Sequence, residues 1–153
     1  MSIKSAQFIN GLTASTDELN ALDGYRHDVY HLSNALQTKA ARYTLEQINA
    51  GQILIDPGAN EQWQVLDVKL RAIGGAIGVS TSIDLTEETS GDIVFSAPVV
   101  GLLQDAWVTI STENVVSTKL GQWSTVGKDL LLSVVGDPAT TATHLDVVVI
   151  YIH

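Results

Sequence analysis

The side chains whose spacing could support chemistry are, first, a pair of histidines. His27 and His31 stand at positions i and i+4, which would put both imidazoles on one face of a helix, as a metal site requires. A zinc site needs a third protein ligand, and Asp28 does not share a helical face with its neighbour His27. The run also lacks the glutamate of a zinc-protease helix. We therefore expect solvated histidines and no metal site.

A second group of candidate ligands is acidic. Four carboxylates close together in the sequence could offer oxygen atoms to calcium, namely Asp84, Glu87, Glu88 and Asp92. Their spacing does not match a calcium loop, so a solvated hairpin tip is the simpler interpretation. The glycines of IGGAIG open no helix and therefore form no phosphate-binding loop. Because nothing orients a nucleophile or a carboxylate pair against a substrate, we predict no enzymatic activity, no catalytic residue and no cofactor.

The composition limits the classes of partner. The 153 residues are enough for one ordinary domain with an N-terminal arm. A formal net charge of −9, from 8 basic and 17 acidic residues, argues against a nucleic-acid partner. Cysteine is absent, which excludes disulfides and thiolate metal sites. The longest apolar runs are too short to span a membrane, and the N-terminus lacks the apolar core of a signal peptide, so we expect a soluble protein made in the cytosol.

Most of the chain has the alternation of short β-strands separated by turn residues. The clearest strand is residues 62–73, where Leu66, Val68, Leu70 and Ala72 are predicted to face the core. Further strands are predicted at residues 41–48, 53–55, 80–85, 92–95, 107–111, 114–120, 130–135 and 144–153. The last strand is apolar on both faces, so it needs a layer on each: one is the second sheet of the domain, and a neighbouring copy could supply the other. We predict a mainly β fold, an antiparallel jelly-roll-like sandwich.

The N-terminal region has a helical pattern instead. Ser15 and Glu18 stand at capping-box spacing, and Gly24 lies where a short helix would stop. Beyond it, apolar residues recur at heptad spacing and predict a helical seam that ends near Thr38, formed by Leu22, Tyr25, Val29, Leu32 and Leu36. Such a short helix either lies on its own domain or joins identical copies. Together with the two-faced C-terminal strand, the seam favours a homotrimer with these five residues at its interface.

Residues 11–24, GLTASTDELNALDG, resemble a segment that recurs in the virion proteins of tailed phages, especially head fibres, tail fibres and capsid decoration proteins. The matching positions are Thr13, Ala14, Glu18, Leu19, Asn20, Leu22, Asp23 and Gly24. The resemblance implies a structural virion protein with a trimeric jelly roll. The segment occurs once, which favours a short appendage on the outer capsid surface, assembled in the host cytoplasm, with the major capsid protein as partner.

The predicted division of the chain follows from these patterns. Residues 1–38 are interpreted as an arm and a helical segment for attachment and trimerisation, and residues 39–153 as the β-sandwich domain. The arm has no sustained period, and its apolar residues gain little unless something buries them. If the resemblance holds, the candidates for capsid attachment are Phe8, Ile9, Leu19 and Leu22.

A binding module is the alternative function. Aromatic planes stack on sugar rings, although tryptophan and tyrosine more often fill a core or an interface. Trp123, in a polar loop at residues 121–128, is the best candidate for a glycan-binding residue. The alternative is therefore a receptor-binding or glycan-binding fibre tip.

Overall fold

The computed structural model describes residues 36–153. The predicted arm, the capping box at Ser15 and the heptad positions before Leu36 lie outside the described residues, as do His27 and His31. No helix in the described part is long and apolar enough to cross a membrane. The elements in chain order are β1 (Leu36–Thr44), α1 (Leu45–Ala50), β2 (Gln52–Ile55), β3 (Gln64–Ile73), β4 (Ser82–Glu87), β5 (Ile93–Pro98), a 3-10 turn (Val99–Gly101), β6 (Trp107–Thr109), β7 (Leu130–Val135) and β8 (His144–Ile152).

The strands form two four-stranded antiparallel sheets, which confirms the prediction of a mainly β sandwich. The first sheet has the order β1-β8-β3-β6 and the second the order β2-β7-β4-β5. Only β4 and β5 follow each other within one sheet, whereas every other pair of consecutive strands is divided between the two sheets. The chain therefore crosses repeatedly from one layer to the other, and the core forms between them.

Strand β3 shows how the core is filled and where simple alternation misleads. Val68, Leu70 and Ala72 are fully buried, as predicted. The pairing with β8 shifts register between Val65 and Asp67. The extra residue of this β-bulge changes which side chains face the core before it. As a result Val65 is buried and Leu66 is 37% exposed, and the prediction that Leu66 faces the core is wrong.

The beginning of the described chain also differs from the sequence-based prediction. Residues 36–38 belong to strand β1 and not to the end of a helix, and residues 45–48 form helix α1 and not a strand. A capping box explains the change: the Thr44 backbone N–H donates to Gln47 Oε1 at 2.8 Å, and the Gln47 N–H donates to Thr44 Oγ1 at 3.3 Å. The helix then buries Ile48. Leu36 is consequently the first residue of an edge strand, and its side chain is 54% exposed.

Other predicted strands meet different outcomes. The strands predicted at residues 53–55, 130–135 and 144–153 are confirmed as β2, β7 and β8. The prediction of a strand at residues 114–120 is wrong. This part of the β6–β7 connection forms only one bridge, between Val116 and Ser96. The connection lies along the edge of β5 without forming a regular strand.

Candidate interaction surface

The sheet β1-β8-β3-β6 turns one face towards the core and the other away from it. Alternate residues of β8 are buried in the core, namely Leu145, Val147 and Val149, and the residues between them face outwards. The cross-strand register assigns the partners on the same side. We call this the outer face; it consists of Leu36, Thr38, Ala40, Arg42 and Thr44 of β1, His144, Asp146, Val148, Ile150 and Ile152 of β8, Gln64, Asp67, Lys69, Arg71 and Ile73 of β3, and Trp107 and Thr109 of β6.

One row of the outer face crosses all four strands and joins four side chains. Asp146 pairs in register with Arg42 on one side and with Arg71 on the other, and Arg71 pairs with Trp107. Arg42 donates to Asp146 through Nε at 2.6 Å and Nη2 at 3.0 Å, and Arg71 Nη2 donates to Asp146 Oδ2 at 2.8 Å. The Arg71 guanidinium lies 4.5 Å from the centre of the Trp107 ring, a cation–π contact. We call these four residues the Arg–Asp row.

The charges of the Arg–Asp row are strongly coupled. The hydrogen bond from Arg42, aided by Arg71, lowers the pKa of Asp146 from 3.8 to about 2, although partial burial of the carboxyl opposes the change. The same hydrogen bond raises the pKa of Arg42. Arg71 Nε is buried and has no hydrogen-bond partner among the described residues. The row thus fixes the four strands side by side and leaves one donor unused.

Beyond the Arg–Asp row, the outward side chains of β8 are apolar, and they lie between Thr38 and Ala40 of β1 and the Asp67–Lys69 ion pair of β3. Val148, Ile150 and Ile152 of β8 are only partly buried, and Leu36 beside Ile152 is exposed. The sequence predicted that β8 has two apolar faces. Within the described residues only its inner face is fully covered.

The acidic hairpin between β4 and β5 is not uniformly solvated, so that prediction is wrong for Glu87. Its side chain is fully buried and is paired with the ammonium of Lys119, which also lies 3.0 Å from Asp92 Oδ2. Glu87 Oε1 accepts a hydrogen bond of 3.0 Å from the backbone N–H of Thr125. Burial alone would raise the pKa of the Glu87 carboxyl, but the hydrogen bonds from Lys119 and Thr125 outweigh it and lower the pKa. These contacts fasten the β6–β7 connection to the hairpin.

Trp123 lies in this same connection, on a backbone that is fixed on both sides. The Gly121 N–H donates to the Val65 carbonyl at 2.8 Å, and the Ser124 N–H donates to the Trp63 carbonyl at 2.8 Å. Between them Trp123 forms a bridge with Gln64, and its side chain is 52% exposed. The aromatic ring is therefore held at the surface, as a stacking role would require.

Few of the candidate residues from the sequence analysis lie close together in the structure. Leu36 and Trp123 lie in the described part, whereas Phe8, Ile9, Leu19 and the remaining heptad positions lie outside it. In the described part no group of three histidine or acidic side chains is placed to hold a metal ion. The Arg–Asp row and the Glu87 pair were missed, since each depends on which strands become neighbours, and one sequence carries no direct sign of cross-strand register.

The chain was compared with known proteins. No protein family matches it, and no curated protein matches it either. Among solved structures, it is similar to a chain in the acid-stable capsid of Helicobacter pylori bacteriophage KHP30, with 16% identity, 78% of this chain and 88% of that chain covered, and a TM-score of 0.48. It is also similar to a chain in the capsid asymmetric unit of cyanophage Pam1, with 14% identity, 76% and 82% covered, and a TM-score of 0.41.

Proposed function

We propose that this chain is a structural protein of a tailed-phage virion, a trimeric decoration protein or short head fibre that is attached to the outer surface of the capsid. The observation that carries the proposal is the segment of residues 13–24, which resembles a segment of phage head fibres and decoration proteins. Its partners would be two further copies of itself and the major capsid protein. Attachment is assigned to Phe8, Ile9, Leu19 and Leu22, and trimerisation to Leu22, Tyr25, Val29, Leu32 and Leu36.

We also propose that the sandwich is a jelly roll, as the resemblance implies. Eight strands in two sheets of four, with only β4 and β5 adjacent in both sequence and space, support this topology. In such a fold, neighbouring strands of a sheet are distant in sequence. The edge strands are therefore held in place by contacts with the strands beside them. The Arg–Asp row is one such contact, since it links the edge strand β1 to β8 and β3.

Imaging of the virion tests the proposed location. Difference density between wild-type particles and particles that lack this chain is expected as threefold protrusions on the outer capsid surface, each large enough for three β-domains. Density at the tail or inside the shell would overturn the assignment to the outer surface. Particles without any difference density would overturn the virion role itself.

Glycan binding remains the second candidate, because Trp123 is exposed on a fixed backbone. A glycan array with the full chain would test it. Saturable binding that is lost in Trp123→Ala and retained in Val126→Ala would support a receptor-binding role. Val126 is the matched control, since it is exposed in the same connection but carries no aromatic ring. An array without saturable binding would contradict this second candidate.

A further inference from the structure

We infer that the outer face of the sheet β1-β8-β3-β6 is the surface by which copies of this domain pack against one another. The inference deepens the proposed trimer and rests on it. It assigns a contact to the β-domain in addition to the heptad residues of the N-terminal region. Three observations on the described residues support a second copy as the occupant.

The first observation is the incomplete burial of apolar side chains on β8. Val148, Ile150 and Ile152 alternate with fully buried core residues, yet they are covered only in part. Beside them Leu36 is 54% exposed. Water contact with these apolar side chains is unfavourable, and a row of them on a sheet face is typical of a protein contact.

The second observation concerns charge. The outer face carries three basic side chains, Arg42, Lys69 and Arg71, against two acidic ones, Asp67 and Asp146. The rest of residues 36–153 carries three basic side chains against eleven acidic ones. Two copies of this acidic domain therefore repel each other over most orientations. Contact through the outer face brings few carboxylates together and keeps the acidic remainder of each domain apart, which favours a copy of the same chain at this surface.

The third observation is the chemical character of the Arg–Asp row. Tryptophan and arginine are the side chains enriched at the energetic centres of protein interfaces. Trp107 is 42% exposed, and Arg42 is exposed beside the carboxylate that it binds. Exclusion of water by a second copy would strengthen the ion pairs of the row.

A matched pair of substitutions tests the inference. Ile150→Asp places a carboxylate among the outward apolar side chains of β8, and Ile53→Asp makes the same change on β2 of the other sheet, where Ile53 is 55% exposed. Sedimentation equilibrium of the full chain should show association weakened roughly 100-fold or more by Ile150→Asp, because burial of an unpaired charge is costly. Ile53→Asp should associate like the wild type. Circular dichroism would verify that both variants are folded.

A labelling experiment keeps the inference testable should Ile150→Asp fail to fold. The chain contains no cysteine, so Thr38→Cys on the outer face and Ile53→Cys on the second sheet each introduce a single thiol. Thr38 is exposed in the isolated domain. Its thiol should therefore react with a maleimide more slowly in the associated protein than in the diluted, dissociated protein, while the thiol at position 53 should react equally fast in both.

The outcomes separate this inference from the proposed function. A wild-type trimer in which Ile150→Asp associates normally and Thr38→Cys reacts freely would overturn the inference and leave the trimer intact. A wild-type monomer at micromolar concentration would overturn both. Protection of Thr38→Cys that appears only on capsid particles would assign the outer face to the capsid protein and overturn contact between copies.

Discussion

The carboxylate of Glu87 lies inside the domain and depends on groups from the β6–β7 connection. Lys119 provides the opposite charge, and the Thr125 N–H provides a hydrogen bond. Lys119 is itself largely buried; burial would lower the pKa of its ammonium, but the contacts with Glu87 and Asp92 raise it. A buried ion pair of this kind adds little net stability over an apolar pair, yet loss of one member is costly.

Removal of Lys119 alone should therefore be more harmful than removal of the pair. Lys119→Met leaves Glu87 buried and uncompensated, and we expect a loss of about 3–5 kcal/mol in the free energy of unfolding. The double variant Lys119→Met with Glu87→Gln removes both charges, keeps an acceptor for the Thr125 N–H and should recover most of that loss. Urea unfolding of the wild type, the two single variants and the double variant measures the coupling. Losses of the two single variants that add up in the double variant would show that the two side chains do not act as a pair.

Asp146 gives the domain a defined dependence on pH. The pKa of its carboxyl is lowered from 3.8 to about 2 in the folded state, so its contribution is complete above the unfolded value and is lost as the pH falls from about 4 to about 2. Asp146→Asn should cost about 1–2 kcal/mol of unfolding free energy at pH 7, a figure reduced for the exposure of Arg42. At pH 2 the variant and the wild type should differ much less. An equal difference at both pH values would contradict an electrostatic role.

At the scale of elements, local pattern was informative where strands are regular and failed where a local hydrogen bond or a bulge intervenes. The alternation of β8 was predicted from its sequence, since period-two burial is imposed by the sheet. The alternation around Thr44 and Gln47 predicts a strand, whereas these two residues form the capping box of a helix. A strand and this short helix both place an apolar residue at every second or third position here. The bulge at Leu66 has no sign in residue type. The Arg–Asp row could not be predicted at all, since its members meet only through the strand order.

Two glycines of the β6–β7 connection have a positive φ, and they differ in how closely they are packed. Gly127 has a φ of +67°, and a Cβ there would lie 2.7 Å from the Ala59 carbonyl oxygen. Gly121 has a φ of +75° in the same connection, but a Cβ there would meet nothing within 4 Å. Both conformations are strained for alanine, and only the first also produces a backbone collision.

Gly127→Ala should consequently destabilise the domain more than Gly121→Ala. We expect roughly 1 kcal/mol for Gly121→Ala from the positive φ alone, and a clearly larger loss for Gly127→Ala. Thermal unfolding followed by circular dichroism compares the two variants. Equal shifts in melting temperature would show that the contact with Ala59 relaxes without cost. The fluorescence of Trp123, which the same connection carries, would report whether the loop has moved.

At the scale of the whole molecule, the fold and the proposed attachment belong to different parts of the chain. Residues 36–153 contain a core of their own between two sheets, with Trp63 and Phe95 as its largest buried side chains. The resemblance to virion proteins lies before them, in residues 13–24. The sequence was therefore sufficient to predict a β-sandwich from periodicity, whereas the proposed function comes from a short segment outside that sandwich.

Removal of residues 1–11 separates folding from attachment. These residues carry no strand or helix period, so their loss should leave the core between the two sheets unchanged and the melting temperature close to that of the full chain. Attachment should be lost, because Phe8 and Ile9 gain little in an otherwise polar arm unless a partner buries them. The measurement is co-sedimentation with capsid particles that lack this protein, and the full chain is the control. Binding that persists in a shorter variant beginning at Tyr25 would instead assign capsid attachment to the β-domain and leave the N-terminal region with trimerisation alone.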